Sequence, residues 1–394
     1  MAPWIPAVLT TALLSSTQPG FTNETVSLVR SNLLQIANNS WELGTAAEAL
    51  TELYWPALSV FNQSAFPPPA RLNSTLNATD VLSIANRTVS TRPANTMPLI
   101  TNQGSSADPA SIGVAVLLAN WTRPDMRNHA YSDAATDQLT YLLKNVSRSD
   151  SGAISHRNDQ TQLWSDFIYM VPPFIAYYGA LQGGDDGQQL LQEAYDQCRL
   201  YRDALADESG LWKHVTLGSW QDNNHWATGN GWAAAGMLRV HQTLNHSSLA
   251  KHFTGQQTNL TQWINEILEA SWSHQTIDGG LRNVIDNSTS YLDTASTALM
   301  ASVTYRMAAI HNTTDFVPAA NQALRLIQSS VDNDGWLQNA TNPYTFNEPL
   351  SEGEHSPEGQ AFVLLLQAAW KAFVQAMAPT NTSGSSHLGH GTLP

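Results

Sequence analysis

An aspartate flanked by aromatic residues is the strongest candidate for chemistry in this chain of 394 residues. Asp166 follows Trp164 and precedes Tyr169, at the point where an apolar segment with helical spacing begins. A carboxyl group among aromatic rings loses solvation, which raises its pKa and lets it deliver a proton near neutral pH. The alternative is structural, because aspartate is also common at the N-terminus of a helix. The local pattern leaves both interpretations open.

A second group of aromatic and polar residues follows some fifty residues later. Trp226 and Trp232 enclose Thr228 and Asn230, and His214 precedes them. Sugars pair apolar C–H faces with hydroxyl edges, so indole rings interleaved with Asn and His donors are suited to binding them. The segment therefore predicts a carbohydrate-binding surface, although core packing explains one or two of the tryptophans equally well.

Further carboxylates lie at predicted helix starts. Asp108 precedes a helix predicted at 111 and is a second candidate for catalysis, with helix capping as the alternative. Asp293 and Glu358 begin two later helices, where interaction with the helix dipole explains them without a functional role. His156 lies shortly before the Asp166 segment, and we expect it to contribute to substrate binding.

The sequence predicts neither a metal site nor a cofactor. His214 and His225 do not have the spacing of a zinc motif, and one cysteine, Cys198, excludes a disulfide framework or a cysteine-based metal site. The chain has no glycine-rich phosphate-binding motif and no serine nucleophile elbow. We expect Cys198 to be a buried and inert thiol.

The elements that must position these residues are helical throughout. Several predicted helices are apolar nearly all round, which indicates burial on most sides, whereas others have a clear polar face. Glycine-containing turns recur about every 55–70 residues and lead into the more apolar helices. This pattern predicts an all-α fold, a ring of six helical hairpins or (α/α)6 toroid, with apolar inner helices whose N-terminal ends meet at one mouth. The twelve predicted helices are 24–38, 41–55, 76–90, 111–121, 131–145, 164–181, 187–206, 226–244, 260–273, 290–310, 316–331 and 357–378.

The expected organisation is a single domain over residues 21–378. Residues 1–20 resemble a signal peptide in their apolar composition, although they lack a basic start, and residues 379–394 form a low-complexity tail that we expect to be disordered. Fourteen Asn-x-Ser/Thr sequons favour a secreted, N-glycosylated protein. A net charge of −14 argues against nucleic-acid binding, and no stretch is long and apolar enough for a membrane span. We expect a monomer.

The motifs resemble those of a known group of enzymes. Trp226-Ala-Thr-Gly-Asn-Gly-Trp232 is similar to the Trp-Gly-Arg-Gly-Asn-Gly-Trp signature of unsaturated rhamnogalacturonyl hydrolases, which form glycoside hydrolase family 105. These enzymes are related to the unsaturated glucuronyl hydrolases of family 88. The segment 164–174 resembles that group's Trp-x-Asp-x-hydrophobic-Tyr-Met-x-x-Pro-Phe, and segments 210–214, 280–284 and 291–296 match further blocks in the same order.

The resemblance implies an (α/α)6 glycosidase acting on a 4,5-unsaturated uronyl sugar at the end of an oligosaccharide. Asp166 becomes the general acid/base that protonates the vinyl-ether double bond and helps a water add at C5, after which the hemiketal collapses. Asp108 becomes the assisting carboxylate, and Trp164, His214, Trp226 and Trp232 line the sugar subsite. No cofactor is implied.

One departure from the signature bears on the substrate. Thr228 replaces its arginine and cannot offer a guanidinium fork to a uronate carboxylate. His214, His225, Arg157 or Lys213 could take that role, or the substrate differs. Two alternatives therefore stay open: a catalytically silent glycan-binding toroid, and an (α/α)6 hydrolase that inverts another sugar with two carboxylates.

Overall fold

A computed structural model of the protein describes residues 19–378, and its helices form a closed ring of six hairpins. The third inner helix is divided into two segments at Val171, directly before Pro172, and the others are continuous. In chain order the helices are α1 Asn23–Ile36, α2 Ser40–Tyr54, α3 Thr79–Thr91, α4 Gly113–Thr122, α5 Ala130–Thr140, α6 Phe167–Met170, α7 Pro172–Gln182, α8 Gly184–Leu205, α9 Ala227–His246, α10 Thr254–Trp272, α11 Thr294–His311, α12 Val317–Ser330 and α13 Pro357–Met377.

The inner layer consists of α2, α4, α6 with α7, α9, α11 and α13. Each packs on the next inner helix around the ring, and α13 contacts both α11 and α2, so the last hairpin closes onto the first. The inner helices carry few exposed residues: every residue from Ala227 to Leu244 in α9 is buried. This burial explains why these helices are apolar on all sides. The predicted (α/α)6 fold is confirmed.

The outer helices α1, α3, α5, α8, α10 and α12 each cover inner helices with one face. In α8, Leu191, Ala194, Cys198 and Tyr201 face the core, while the acidic residues of its first turn face outward. Cys198 is a free, fully buried thiol, as predicted, and burial raises its pKa. Such a thiol is unreactive because the thiolate is disfavoured without solvent.

Short antiparallel strand pairs lie in the connections that lead into the inner helices. Strand β1, Gln162–Trp164, pairs with β2, Val215–Leu217, so that Trp164 lies opposite Val215. Strand β3, Leu281–Arg282, pairs with β4, Leu292–Asp293. These pairs are short extended segments before inner helices, and β1 holds Trp164 two residues before Asp166.

The described residues include almost none of the two predicted terminal segments. Residues 1–18 of the signal-like segment and the whole tail from Pro379 lie outside the described range. Between residues 19 and 378, no helix is both long and apolar enough to cross a membrane. The same range contains no group of three or more His, Cys, Asp or Glu residues placed to hold a metal ion.

The ring is closely packed where α9 crosses the segment before α7. A Cβ atom on Gly236 would lie 2.1 Å from the carbonyl oxygen of Ile168 and 2.7 Å from the backbone nitrogen of Tyr169. These are backbone atoms of the helix that follows Asp166, and they cannot move without shifting that helix. Glycine at this position therefore sets the distance between two inner helices.

Replacing this glycine tests the close packing. We expect Gly236→Ala to lower the free energy of unfolding by about 1–3 kcal/mol because the added methyl group overpacks the helix contact. Gly255→Ala is the matched control, since its Cβ atom meets nothing within 4 Å on α10. Denaturant unfolding followed by circular dichroism measures both variants. Equal stabilities of the two variants would contradict this account of the packing.

Candidate active site

The N-terminal ends of the inner helices surround a cavity of about 210 Å³. Five of the six inner helices contribute to its wall, either through the helix itself or through the segment directly before it. The lining residues are Trp41, Gln103, Ser105, Asp108, His156, Arg157, Trp164, Asp166, Met170, Trp226, Trp232, Pro343, Tyr344 and Glu358. The mouth expected from the toroid is therefore lined by carboxylates and indole rings.

Asp166 lies immediately before α6, and its carboxylate makes no capping hydrogen bond to that helix. Ser165 Oγ donates to Asp166 Oδ2 over 3.3 Å, and His214 Nε2 lies 3.6 Å from the same oxygen. Burial raises the pKa of Asp166, and the neighbouring His214 opposes that shift. The structural alternative of a capping aspartate has no support in these contacts, because the carboxylate faces the cavity.

Asp108 lies across the cavity at the start of the 3-10 turn Asp108–Ile112. Its Oδ1 is 3.5 Å from His156 Nε2, and its backbone N–H donates to Ser105 Oγ. Burial, reinforced by the negative charge of Asp166, raises the pKa of Asp108 to about 7. The carboxylate side chains of Asp108 and Asp166 are only 14% and 15% exposed. Two such groups that repel each other favour a state in which one carries a proton near neutral pH.

His156 is held as a neutral ring beside Asp108. Burial, with the charge of Arg157, lowers the pKa of His156 to about 3. The imidazole stacks on Trp164, with ring centroids 5.0 Å apart and planes inclined by 12°. A neutral histidine can donate one hydrogen bond and accept another, which is the pattern needed for a sugar hydroxyl group.

His214 supports Asp166 from behind the cavity wall. Its side chain is completely buried under Trp164 and Trp226, and Nδ1 lies 3.0 Å from Asp222 Oδ2. An Nδ1–H bond to Asp222 leaves the lone pair of Nε2 facing Asp166, and Nε2 has no hydrogen-bond partner among the described residues. Asp222 thereby orients the imidazole of His214 so that Nε2 lies beside the Asp166 carboxyl group.

Aromatic rings form the wall around these carboxylates. Trp164 meets Trp220 edge-on at 5.3 Å, and Trp220 lies parallel to Phe346 with centroids 6.2 Å apart. Trp226 Nε1 donates to Asn283 Oδ1 over 2.9 Å, so that its ring is fixed in the wall. Trp232 packs against Tyr169 at 4.4 Å and also lines the cavity. The cavity therefore has the aromatic rings on which the apolar C–H face of a sugar can pack.

The structure does not bring Thr228 and Asn230 to the cavity wall. Thr228 is buried, and its hydroxyl donates to Asp293 Oδ2 over 3.3 Å. Asn230 is also buried and bonds to the backbone N–H and C=O of Trp212 at 2.8 and 2.9 Å. Asp293 accepts the backbone N–H groups at the start of α11. These side chains join the first turn of α9 to Trp212 in the segment before it and to Asp293 at the start of α11, and thereby place Trp226.

Eight of the fourteen lining residues were not among the predicted site residues, and Glu358, Trp41 and Tyr344 are three of these. Glu358 was assigned to the helix dipole, yet it lines the cavity, and burial with the charge of Asp166 raises its pKa well above the ordinary value. Like Asp166, Glu358 lies at the start of an apolar inner helix, and this position is the sequence signal that indicates a place at the cavity. Trp41 lies in the first turn of inner helix α2 and had the same signal, whereas Tyr344 comes from an irregular loop, where it donates to Glu42 at 3.1 Å, and had none.

The raised pKa of Asp108 predicts how its removal changes stability with pH. A carboxyl group whose pKa is raised in the folded state stabilises the fold at pH values below its unfolded-state pKa of about 3.8. That contribution to the free energy of unfolding is lost as the pH rises through the folded-state pKa of about 7. We therefore expect the unfolding free energy of Asp108→Asn, relative to the parent, to increase between pH 4 and pH 8 by up to about 4 kcal/mol. Urea unfolding at several pH values measures the difference. A difference independent of pH would contradict the raised pKa.

The fold and this site define a toroidal glycosidase, and comparison with known families identifies which one. The model of Glycosyl Hydrolase Family 88 matches residues 70–347. The chain belongs to this family and is a glycoside hydrolase. A search of curated proteins by sequence gave no significant match.

Solved structures share the fold over nearly their whole length. A possible member of glycoside hydrolase family 105 from Klebsiella pneumoniae has a TM-score of 0.71 at 17% identity, covering 94% of this chain and 99% of the other. Its counterpart from Salmonella enterica has a TM-score of 0.70 at 17% identity, covering 93% and 99%. The unsaturated glucuronyl hydrolase from Bacillus sp. GL1 has a TM-score of 0.61 at 12% identity, covering 87% and 94%. The resemblance to these two families is thus confirmed at the level of the fold.

Proposed function

We propose that this protein removes a terminal 4,5-unsaturated uronyl residue from an oligosaccharide, with Asp166 as the general acid. The observation that carries the proposal is the Asp166 carboxyl group itself: it faces an aromatic cavity, caps no helix and has a raised pKa. Membership of family 88 supports the substrate class, as does the likeness to a glucuronyl hydrolase described as responsible for glycosaminoglycan degradation.

The proposed reaction needs one proton delivered and one removed at the same place. Protonated Asp166 gives its proton to C4 of the vinyl ether, and the positive charge that develops at C5 is stabilised by the ring oxygen. The Asp166 carboxylate then accepts a proton from the water that adds at C5. The resulting hemiketal opens and releases the rest of the chain. A proton that reaches His214 Nε2, 3.6 Å from Asp166 Oδ2, gives the ring a positive charge that favours the Asp166 carboxylate after the first transfer.

Asp108 and Glu358 set the electrostatic conditions for this cycle. Their raised pKa values favour protonated carboxyl groups near neutral pH, and protonated carboxyl groups donate hydrogen bonds. Asp108 is therefore suited to hold the attacking water or a sugar hydroxyl group while Asp166 moves the proton. This gives the assisting carboxylate a function that does not require a second charge in the cavity.

Replacing Asp166 tests the proposal directly. We expect Asp166→Asn to reduce kcat by at least about 10²–10⁴-fold, because the amide cannot supply the proton. Loss of the double-bond absorbance of unsaturated disaccharides from pectin, gellan or glycosaminoglycans measures the turnover. Asp203→Asn is the matched control, since Asp203 is an exposed residue on α8.

The same assay separates this function from the catalytically silent alternative. A parent protein that binds these sugars and turns none of them over, with affinity unaffected by Asp166→Asn, would establish a glycan-binding toroid instead. Turnover of a saturated sugar with inversion at the anomeric carbon would favour hydrolysis by two carboxylates.

We further propose that the protein is secreted and N-glycosylated. Thirteen of the fourteen sequon asparagines lie in the described residues; ten of them are exposed and three half-exposed. An oligosaccharyltransferase needs accessible asparagine side chains, and these positions meet that requirement. Asn381 lies outside the described residues.

Expression in a eukaryotic secretory host checks this localisation. We expect the protein to be recovered from the medium with N-glycans on several sequons, so that enzymatic deglycosylation lowers its mass by several kilodaltons, read by intact mass spectrometry. Retention inside the cell, or an unchanged mass after deglycosylation, would count against secretion.

A further inference from the structure

A uronyl substrate carries a carboxylate, and the position that bears arginine in the family signature cannot bind it here. Thr228 occupies that position, and its hydroxyl is buried against Asp293. An arginine there would also bring a guanidinium group into a buried place where the Thr228 hydroxyl now donates to Asp293 Oδ2 over 3.3 Å. If the substrate is a uronide, its carboxylate must therefore meet a different cation.

The other basic side chains considered for this role either are bonded to carboxylates or do not line the cavity. His225 lies between Asp207 and Asp286, with each ring nitrogen 2.8 Å from a carboxylate oxygen. His214 is completely buried behind the wall, and Lys213 is not among the lining residues. Of the described residues that line the cavity, Arg157 is the one lysine or arginine.

The guanidinium group of Arg157 is held in a fixed orientation. Its Nε lies 3.2 Å from Asp159 Oδ1, which fixes one edge of the group. Its terminal nitrogens lie beside Gly104, where a Cβ atom would be 2.9 Å from Nη2 and 3.3 Å from Nη1. Gly104 has φ +71°, and a backbone bridge between Ser105 and Arg157 joins the two loops. The glycine thus makes room for the guanidinium group.

The terminal nitrogens Nη1 and Nη2 of Arg157 donate to no acceptor among the described residues, so their N–H groups are available to a ligand. They lie close enough to the proposed reaction centre for the charge of Arg157 to oppose the raised pKa of Asp108. A planar pair of N–H donors matches the two oxygens of a carboxylate. This arrangement is an open, pre-positioned carboxylate receptor beside the catalytic groups.

We propose that Arg157, oriented by Asp159 and accommodated by Gly104, binds the carboxylate of the terminal uronyl residue in place of the signature arginine. The inference rests on the proposed function for its substrate class. It moves recognition of the carboxylate from the start of α9 to the loop between α5 and β1. The rival explanation is that Arg157 serves only to balance the charge of Asp108.

Matched acidic and neutral substrates separate these explanations. We expect Arg157→Gln to raise KM for an unsaturated uronyl disaccharide by about 10–100-fold, the value of two charge-assisted hydrogen bonds. KM for the methyl ester of the same disaccharide should change less than threefold. Arg157→Lys should retain part of the preference for the acid, since it keeps the charge and loses the fork. Equal losses on the acid and the ester would overturn the proposal in favour of charge balance.

Two control pairs exclude general damage to the protein. Gly104→Ala should reproduce the selective loss on the acid, whereas Gly152→Ala should not. Gly152 has a similarly positive φ of +97°, but its Cβ atom would meet only Leu200, at 3.8 Å. Arg127→Gln removes a highly exposed arginine and should leave both substrates unaffected. An effect of Gly152→Ala equal to that of Gly104→Ala would contradict the contact with Arg157.

A binding measurement keeps this inference separate from the proposed function. Titration calorimetry with galacturonate and glucuronate needs no turnover. Binding to the parent that is lost in Arg157→Gln supports the carboxylate receptor, even if no unsaturated disaccharide is cleaved and the proposed reaction fails. Cleavage of unsaturated uronides that is indifferent to Arg157→Gln would support the reaction and overturn the receptor.

Discussion

Closure of the helical ring is the constraint on which the structure depends. Helices that are apolar on all sides, such as α9 and α11, are stable only if neighbours cover every face, and an open row of hairpins would leave the two end helices exposed. Packing of α13 against both α11 and α2 removes those ends. Arg239 on α9 forms an ion pair with Glu52 on the opposite helix α2, and Arg306 on α11 joins them at 2.9 Å, so that charges fill the centre of the ring.

The same closure creates the chemistry of the mouth. Because the inner helices run in one direction, their N-terminal ends bring Asp108, Asp166 and Glu358 together in one cavity. A helix N-terminus stabilises a carboxylate by at most about 2 kcal/mol, which would lower its pKa. Desolvation and mutual repulsion exceed that effect here, and the pKa of Asp108 is raised to about 7. Burial of these acids in the ring thus raises their pKa values, as the proposed proton transfer requires.

Support of the reacting groups is divided between helices and loops. Helix starts fix the positions of Asp166 and Trp226, whereas the connecting loops supply Asp222 behind His214 and Gly104 beside Arg157. A loop can exchange one cation for another without changing the helical ring, since its side chains do not pack in the core. This explains how a chain can keep the family fold and lose the signature arginine.

The sequence by itself determined the ring of hairpins and identified Asp166 as a candidate catalytic residue. Helical periodicity and repeated glycine turns report which faces are buried, and an aspartate between aromatic residues at a helix start is an unusual local pattern. Only the tertiary structure decided which buried polar residues adjoin the cavity. Thr228 and Asn230 share a motif with Trp226 yet hydrogen-bond within the wall, whereas Glu358 and Tyr344 reach the cavity. The physical reason is that helical periodicity predicts whether a side chain is buried. Whether that buried side chain meets a packed neighbour or an open cavity depends on residues that are far away in the chain.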